Sequence, residues 1–495
     1  MSIILRWQHI NFAVVMRVMG WLLMMEAVFM LFPMGVSLYF CETLPAVSFA
    51  LSAAITAVAG MLMTFGIKPR HNTMRKREGI MLTALVWVFF SIFGMLPFMI
   101  CGATRNVTDA FFETMAGFTT TGATVFQQQE LLPRGVLFWR SMMQWIGGMG
   151  IILFTLAVLP MLNVRGGVSL FNSEVTGITH EKLRPRVSQT AKRLWLIYLV
   201  LTIVMAALLI LGPMDWFNAV CHTMATVSTG GFTTSDAGLW SMNSTYVNVV
   251  VMVFMFLCGI NFTLIFRLLT QGDLKSLRAN DTFRWYVMTT VGVAAIVFVY
   301  MSIRGFGSDW QDRIMLAFFD TISSVTSTGF ASYNYESQGQ FVAVLMMTLM
   351  FFGGMAGSTS GGAKIDRMMV LLKNTKNELY RTVHSNAVTS VRVDGKSLPH
   401  EVVEKVIAFL AIYVMIFVLV GIMLTLMGLP IFDSFFTSMS TLSNMGFGCG
   451  VTDGVGAYAA LPTAAKWLLA IEMMVGRLEL FTVLVLFTRS FWLKD

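Results

Sequence analysis

Charge is scarce in this 495-residue chain: Asp, Glu, Lys and Arg make up only 12% of it, about half the share in a typical soluble domain. With 56% hydrophobic residues, the shortage excludes an ordinary soluble fold. It points to a polytopic membrane protein, whose units are apolar spans of roughly 20 residues. Cysteine is sparse too. Cys41, Cys101, Cys221, Cys258 and Cys449 show no CxxC or CxxH spacing, which argues against a zinc or redox motif and leaves them as packing residues. No HExxH motif occurs and no paired carboxylates share a soluble pocket, while His71, His180, His384 and His400 fall in expected loops. Nothing in the chain therefore resembles an enzyme's catalytic centre. The first long apolar stretch, Val14 to Phe40, is too long for a signal-peptide core and lacks a small-residue cleavage site, so it is expected to be a retained helix.

What charge there is comes in blocks. Lys68, Arg70, Arg75, Lys76 and Arg77 form one basic loop, and Arg165, Lys182, Arg184, Arg186, Lys192 and Arg193 a second. Lys275, Arg278 and Arg284 form a third, and Lys373, Lys376, Arg381, Arg392 and Lys396 a fourth. The alternate connections carry acids such as Asp109, Glu130, Asp236, Asp309 and Asp453. A net charge of +8 spread in this way is the positive-inside pattern of a membrane protein, not a nucleic-acid footprint. The basic loops and both termini are expected in the cytoplasm, and the acidic outer face concentrates cations at its mouth.

Four segments repeat without gaps: "DAFFETMAGFTTTGATV" (109–125), "NAVCHTMATVSTGGFTT" (218–234), "LAFFDTISSVTSTGFAS" (316–332) and "DSFFTSMSTLSNMGFGC" (433–449). They superimpose on Gly122, Gly231, Gly329 and Gly446, with Thr119, Ser228, Thr326 and Ser443 three residues earlier. Each offers about ten helix-compatible residues and then a Ser/Thr/Gly stretch, between two long apolar runs. That is the pattern of a re-entrant loop, tolerated at membrane depth only where it is buried in protein or lines a water-filled cavity. Four such loops can surround one axis. Glycine lets successive carbonyls point one way, and half-helices turn their negative ends inward. A ring of backbone oxygens without a fixed carboxylate suits a dehydrated monovalent cation.

On "TTTGATV", "STGGFTT", "GGMAGSTSGGAK" (353–364) and "GRLELFTVLVLF" (476–487), the chain resembles the TrkH/KtrB family of bacterial potassium-uptake subunits, relatives of the HKT and fungal Trk transporters. The two additional N-terminal spans favour the TrkH branch. The resemblance implies an all-α membrane protein of four M1-P-M2 repeats, pseudo-fourfold around one potassium pathway, in the bacterial inner membrane. It also implies a homodimer and a cytoplasmic TrkA-type ring that binds NAD or ATP, with potassium as ligand and no covalent cofactor. The filter would comprise Thr119, Thr120, Thr121 and Gly122; Ser228, Thr229, Gly230 and Gly231; Thr326, Ser327, Thr328 and Gly329; and Ser443, Asn444, Met445 and Gly446. The fourth segment departs most, through Asn444 and Met445. A serine in the first repeat accompanies sodium conduction in relatives, so four glycines favour potassium. A symporter coupling potassium to sodium or protons is the alternative.

The expected units are an N-terminal pair of helices (1–78) and repeats at 79–192, 193–284, 285–400 and 401–495. Spans are expected near 13–37, 44–66, 79–101, 136–160, 193–213, 246–269, 285–303, 340–373, 402–428 and 465–488. The span at 340–373 is interrupted by glycine and serine. Its "GSTSGGAK" lacks the Gly-Lys-Ser/Thr ending of a phosphate loop, since Ala363 follows Gly362. Gly354 lies 25 residues after Gly329, as Gly147 does after Gly122, which sets the interruption beneath the filter. Gly353, Gly354, Gly357, Ser358, Thr359, Ser360, Gly361, Gly362 and Lys364 are read as a gating loop held near Arg477. That arginine sits mid-span, either in a salt bridge to Glu472 or Glu479 or as a fixed charge against the pore. Glu113, His222, Asp320 and Thr437 share the column nine residues before the glycine. Hydrogen bonding to the filter backbone is the preferred reading for them, a direct cation site the other.

Overall fold

Inside hydrocarbon, backbone polar groups must be satisfied within the protein, so long apolar runs fold as helices. The computed structural model describes residues 10–67, 74–150, 187–242, 244–332, 335–454 and 456–492. Helices α1 (Phe12–Tyr39) and α2 (Thr43–Gly66) form an N-terminal hairpin. Their backbones approach closely where small residues meet: a Cβ on Gly20 would lie 2.6 Å from the Gly60 carbonyl oxygen. Next come α3 (Lys76–Gly94), α4 (Leu96–Ile100), α5 (Val107–Phe118) and α6 (Arg134–Gly148). They are followed by α7 (Val187–Leu211), α8 (Trp216–Val227), α9 (Thr245–Cys258) and α10 (Phe262–Gln271). Then α11 (Asp281–Arg304), α12 (Trp310–Val325), α13 (Gln340–Phe352) and α14 (Ile365–Val383) lead to a two-stranded hairpin, Arg392–Val393 with Lys396–Ser397. The described chain ends with α15 (His400–Leu426), α16 (Ile431–Leu442), α17 (Thr463–Arg477) and the short α18 (Leu480–Leu484).

Among the described residues six helices are long and apolar enough to cross a bilayer, and the protein is a multi-pass membrane protein. Helices α5, α8, α12 and α16 have 12, 12, 16 and 12 residues, too few for a ~30 Å hydrocarbon core. Each packs against the helix that precedes it and the helix that follows it. A second set of contacts runs between the stretches: α6 packs on α8, α9 on α12, α13 on α16, and α17 on α5. The packing therefore closes on itself, last element against first.

The expected spans at 246–269 and 465–488 are not continuous helices. The first breaks between Cys258 and Phe262 with a bend of 105°. The second breaks at Leu478 and Glu479, where Glu479 takes φ 61°. In the span expected at 136–160, α6 ends at Gly148 and Gly150 takes φ 64°; residues 151–160 lie outside the described residues. So do Lys68, Arg70, His71, Arg165, His180, Lys182, Arg184 and Arg186. Among the described residues the second helices of the second, third and fourth units are thus all interrupted, not only the third, and α6 ends at Gly148.

Candidate functional site

Each short helix ends in the same hydrogen-bonded turn. At the end of α5, Thr121 N donates to Ala116 O at 2.8 Å and Thr120 N to Gly117 O at 3.0 Å, the paired bonds of a Schellman cap. The equivalents are Gly230 N to Ala225 O at 2.8 Å, Thr328 N to Ser323 O at 2.9 Å and Met445 N to Ser440 O at 2.8 Å. The cap places Thr120, Thr229, Ser327 and Asn444 in the left-handed region, at φ 55°, 53°, 51° and 55°. Glycine usually takes this position, and a β-branched residue there is strained. Asn444, the apparent exception in the sequence, tolerates it well. The fourth segment thus follows the same path as the other three.

Two residues on, Gly122, Gly231, Gly329 and Gly446 return to positive φ, 80°, 77°, 81° and 80°. A Cβ on Gly122 would run into the carbonyl oxygen of Gly230, one on Gly231 into Thr328 O, one on Gly329 into Met445 O, and one on Gly446 into Thr121 O. Each glycine lies against the carbonyl that precedes the next glycine, and the fourth meets the first. Only hydrogen fits at these four points. A cavity of about 330 Å³ touches all four glycines and is lined further by Thr124, Phe232, Phe330, Phe447, Asp236 and Asp453. The C-terminal ends of four helices converge here, bringing partial negative charge without a carboxylate in the ring. Among the described residues no cluster of His, Cys, Asp or Glu is built to hold a metal.

The chain beyond each glycine is pinned back to its own short helix. Glu113 accepts from Val125 N and Thr124 Oγ1, both at 2.9 Å, and Asp320 from Ser332 N at 3.0 Å and Ser332 Oγ at 2.7 Å. His222 Nε2 meets Thr234 Oγ1 at 3.2 Å, and Thr437 Oγ1 meets Thr452 Oγ1 at 2.8 Å. Hydrogen bonding to the filter backbone is the expectation for that column; the bonds fall instead just beyond the glycines, to the backbone N–H for Glu113 and Asp320 and to a side-chain hydroxyl for His222 and Thr437. Arg140, which sequence reasoning passed over, completes the first clamp. Its Nε donates to Glu113 at 2.8 Å, with both side chains at most 1% exposed. Its Nη1 donates to Thr233 O at 3.2 Å, and the guanidinium lies 4.2 Å from the Phe232 ring. A lone arginine within the apolar "LFWRSMMQW" was the available signal.

Residues 353–364 join α13 to α14 without helical structure, directly against the short helices' C-terminal ends. Gly361 N donates to Ser327 Oγ, Gly362 N to Ser443 O at 3.0 Å, and Thr359 Oγ1 to Val227 O at 3.2 Å. Other polar groups turn inward, toward the flanking helices or toward the second break: Ser358 Oγ meets Ser360 Oγ, Lys364 Nζ donates to Ser360 O, Ile365 N to Gly354 O, Ala363 N to Phe351 O and Phe262 N to Gly357 O. Arg477 donates through Nη1 to Thr359 O at 2.8 Å and through Nη2 to Gly147 O and Gly148 O at 3.0 and 2.9 Å. It therefore ties the loop to the break after α6. Of the acids beside it, Glu479 pairs with Arg367 at 2.6 Å, while Glu472 accepts from Ser438 and Thr441, both at 2.7 Å.

Comparison with known proteins gives consistent results. The chain is 35% identical over 484 residues to the Trk system potassium uptake protein TrkH of Escherichia coli (strain K12), covering 97% of this chain and 99% of that one. It is 34% identical over 483 residues to TrkG of the same organism, covering 97% and 98%. The crystal structure of the potassium transporter TrkH from Vibrio parahaemolyticus superimposes with a TM-score of 0.89 at 33% identity, covering 98% of this chain and 100% of that one. These relatives are membrane transport proteins, not enzymes. Residues 45–493 match the family model TrkH, "Cation transport protein", and with near full-length relatives above 30% identity the chain belongs to that family.

Proposed function

We propose that this protein takes up potassium across the bacterial inner membrane, as a multi-pass subunit with both termini in the cytoplasm. Four M1-P-M2 units, at 79–192, 193–284, 285–400 and 401–495, surround one ion path behind the N-terminal pair of helices (1–78). The filter is the set from Thr119, Ser228, Thr326 and Ser443 to the four glycines. The observation that carries this reading is the closed cycle of glycine against carbonyl, 122 to 230, 231 to 328, 329 to 445 and 446 to 121. Such a ring replaces a cation's hydration shell with backbone oxygens.

The loop at 353–364 then lies across the path, and Arg477 holds it there. A fixed guanidinium beneath the ring also lowers cation occupancy while the loop is in place. Release is assigned to a cytoplasmic TrkA-type ring that binds NAD or ATP, acting on a homodimer. The test is rescue of a potassium-uptake-deficient cell at low external potassium, with and without such a partner. Growth in either condition supports the reading, and failure in both with protein in the membrane sinks it. Tracer uptake that required a sodium or proton gradient would assign coupled symport instead.

A further inference from the structure

Gln144 lies on α6, four residues before its end, with its side chain fully buried. Its Nε2 donates to the carbonyl oxygen of Gly230 at 2.5 Å, and its Oε1 accepts from the N–H of Phe232 at 3.1 Å. One amide thus brackets Gly231. The Gly230 oxygen is also the one that faces Gly122, at the seam between the first two segments.

The sequence records the same wedge from the other side. The column of Gly230 holds Thr121, Thr328 and Met445 in the other segments, so the turn itself accepts a side chain. Gly230 is not among the left-handed glycines, and its backbone makes no demand for glycine. A Cβ there would instead lie 2.5 Å from Gln144 Cδ and 2.8 Å from its Nε2. The double glycine of "STGGF" is explained by Gln144. Among the described residues no side-chain amide reaches the carbonyl oxygens of Thr121, Thr328 or Met445, so the ring is chemically unequal at this one oxygen.

Resting on the filter reading above, we infer that Gln144 is a positioning residue that sets ion preference by holding the Gly230 carbonyl. A donated hydrogen bond fixes the direction of that oxygen and draws on its electron density. Field strength at the coordinating oxygens is one determinant of potassium over sodium. A weakened oxygen competes less well for strongly hydrated sodium, so the bond favours the larger ion.

The experiment measures potassium, rubidium and sodium uptake by the full-length protein in proteoliposomes. It compares wild type, Gln144→Met, Gly230→Ala and the double variant Gln144→Ala/Gly230→Ala. Gln144→Met should lower the potassium-to-sodium ratio by about fivefold, the worth of one net hydrogen bond. Gly230→Ala alone should lose uptake through collision with Gln144, and the double variant should regain uptake at the lowered ratio. If Gln144→Met fails to fold, the double variant, which refills part of the vacated space, decides by the same ratio. An unchanged ratio against a selective wild type, or normal transport by Gly230→Ala, overturns the role of Gln144 alone. A wild type with no preference for potassium overturns the function proposed above.

Discussion

Two kinds of residue make the ring, and they should respond oppositely to substitution. Thr120 holds a left-handed conformation, φ 55°, that costs a non-glycine residue roughly 1 kcal/mol, so Thr120→Gly relieves local strain and should leave uptake in place. Gly329 has no such latitude, because an added methyl group meets Met445 O. Gly329→Ala should abolish potassium uptake while the protein is still found in the membrane, as immunoblotting of membranes would check; preserved uptake would refute the steric argument. Arg140 predicts an effect on stability. Removing it leaves Glu113 buried at 0% exposure without its cation, and breaking a buried pair typically costs about 3–5 kcal/mol. Arg140→Met should therefore lower thermal stability in detergent strongly, and Arg140→Met with Glu113→Gln should recover much of the loss. The glycines stood out in the sequence because only hydrogen fits there. Arg140 showed only as a lone charge in an apolar run; its pairing did not show, because its partner lies 27 positions away and no local pattern joins them.

At the scale of elements, the interruptions of the second helices carry the prediction. The third was visible because twelve residues rich in glycine and serine cannot continue a helix. The break at Glu479 was not, because it needs only one residue at positive φ in an otherwise apolar run, and the 105° bend after Cys258 rests on the cap at Asn261. The side-chain oxygen of Asn261 accepts from Thr263 N at 2.8 Å while its amide donates to Ala356 O at 2.7 Å. The long loop and the short breaks are thus bonded to each other. Deleting Ser358 to Gly361 removes the contacts to Ser327, Val227 and Arg477 together, and steady-state potassium flux should rise; unchanged or reduced flux with intact protein would count against a gating role. Arg477→Ala should act in the same direction, since it frees Thr359 from Gly147 and Gly148. Wild-type flux at normal expression would remove that role.

For the whole molecule the decisive place is where the last segment meets the first. Four phased repeats in the sequence suggested a ring, but nothing in them specified how it closes, since the closing contacts join residues more than 300 positions apart. The structure places them at Asn444, whose Nδ2 donates to Thr121 Oγ1 at 3.0 Å, and at Lys466, whose Nζ donates to Asp109 at 2.6 Å and to Ala459 O at 2.9 Å. The pair is unequal: the Lys466 side chain is 6% exposed and that of Asp109 22%. Asp109 also sits in the first turn of α5, where the helix N-terminus stabilises a carboxylate without help. Lys466→Met therefore leaves an acid that water and the helix still accommodate, at a cost of about 1 kcal/mol. Asp109→Ala leaves a buried ammonium with one carbonyl, and should cost about 3 kcal/mol. Thermal unfolding in detergent should rank the variants in that order, and the double variant should fall nearer to Lys466→Met than to Asp109→Ala. Equal losses from the two single variants would mean that the seam is held by apolar packing of α17 on α5 and not by the ion pair.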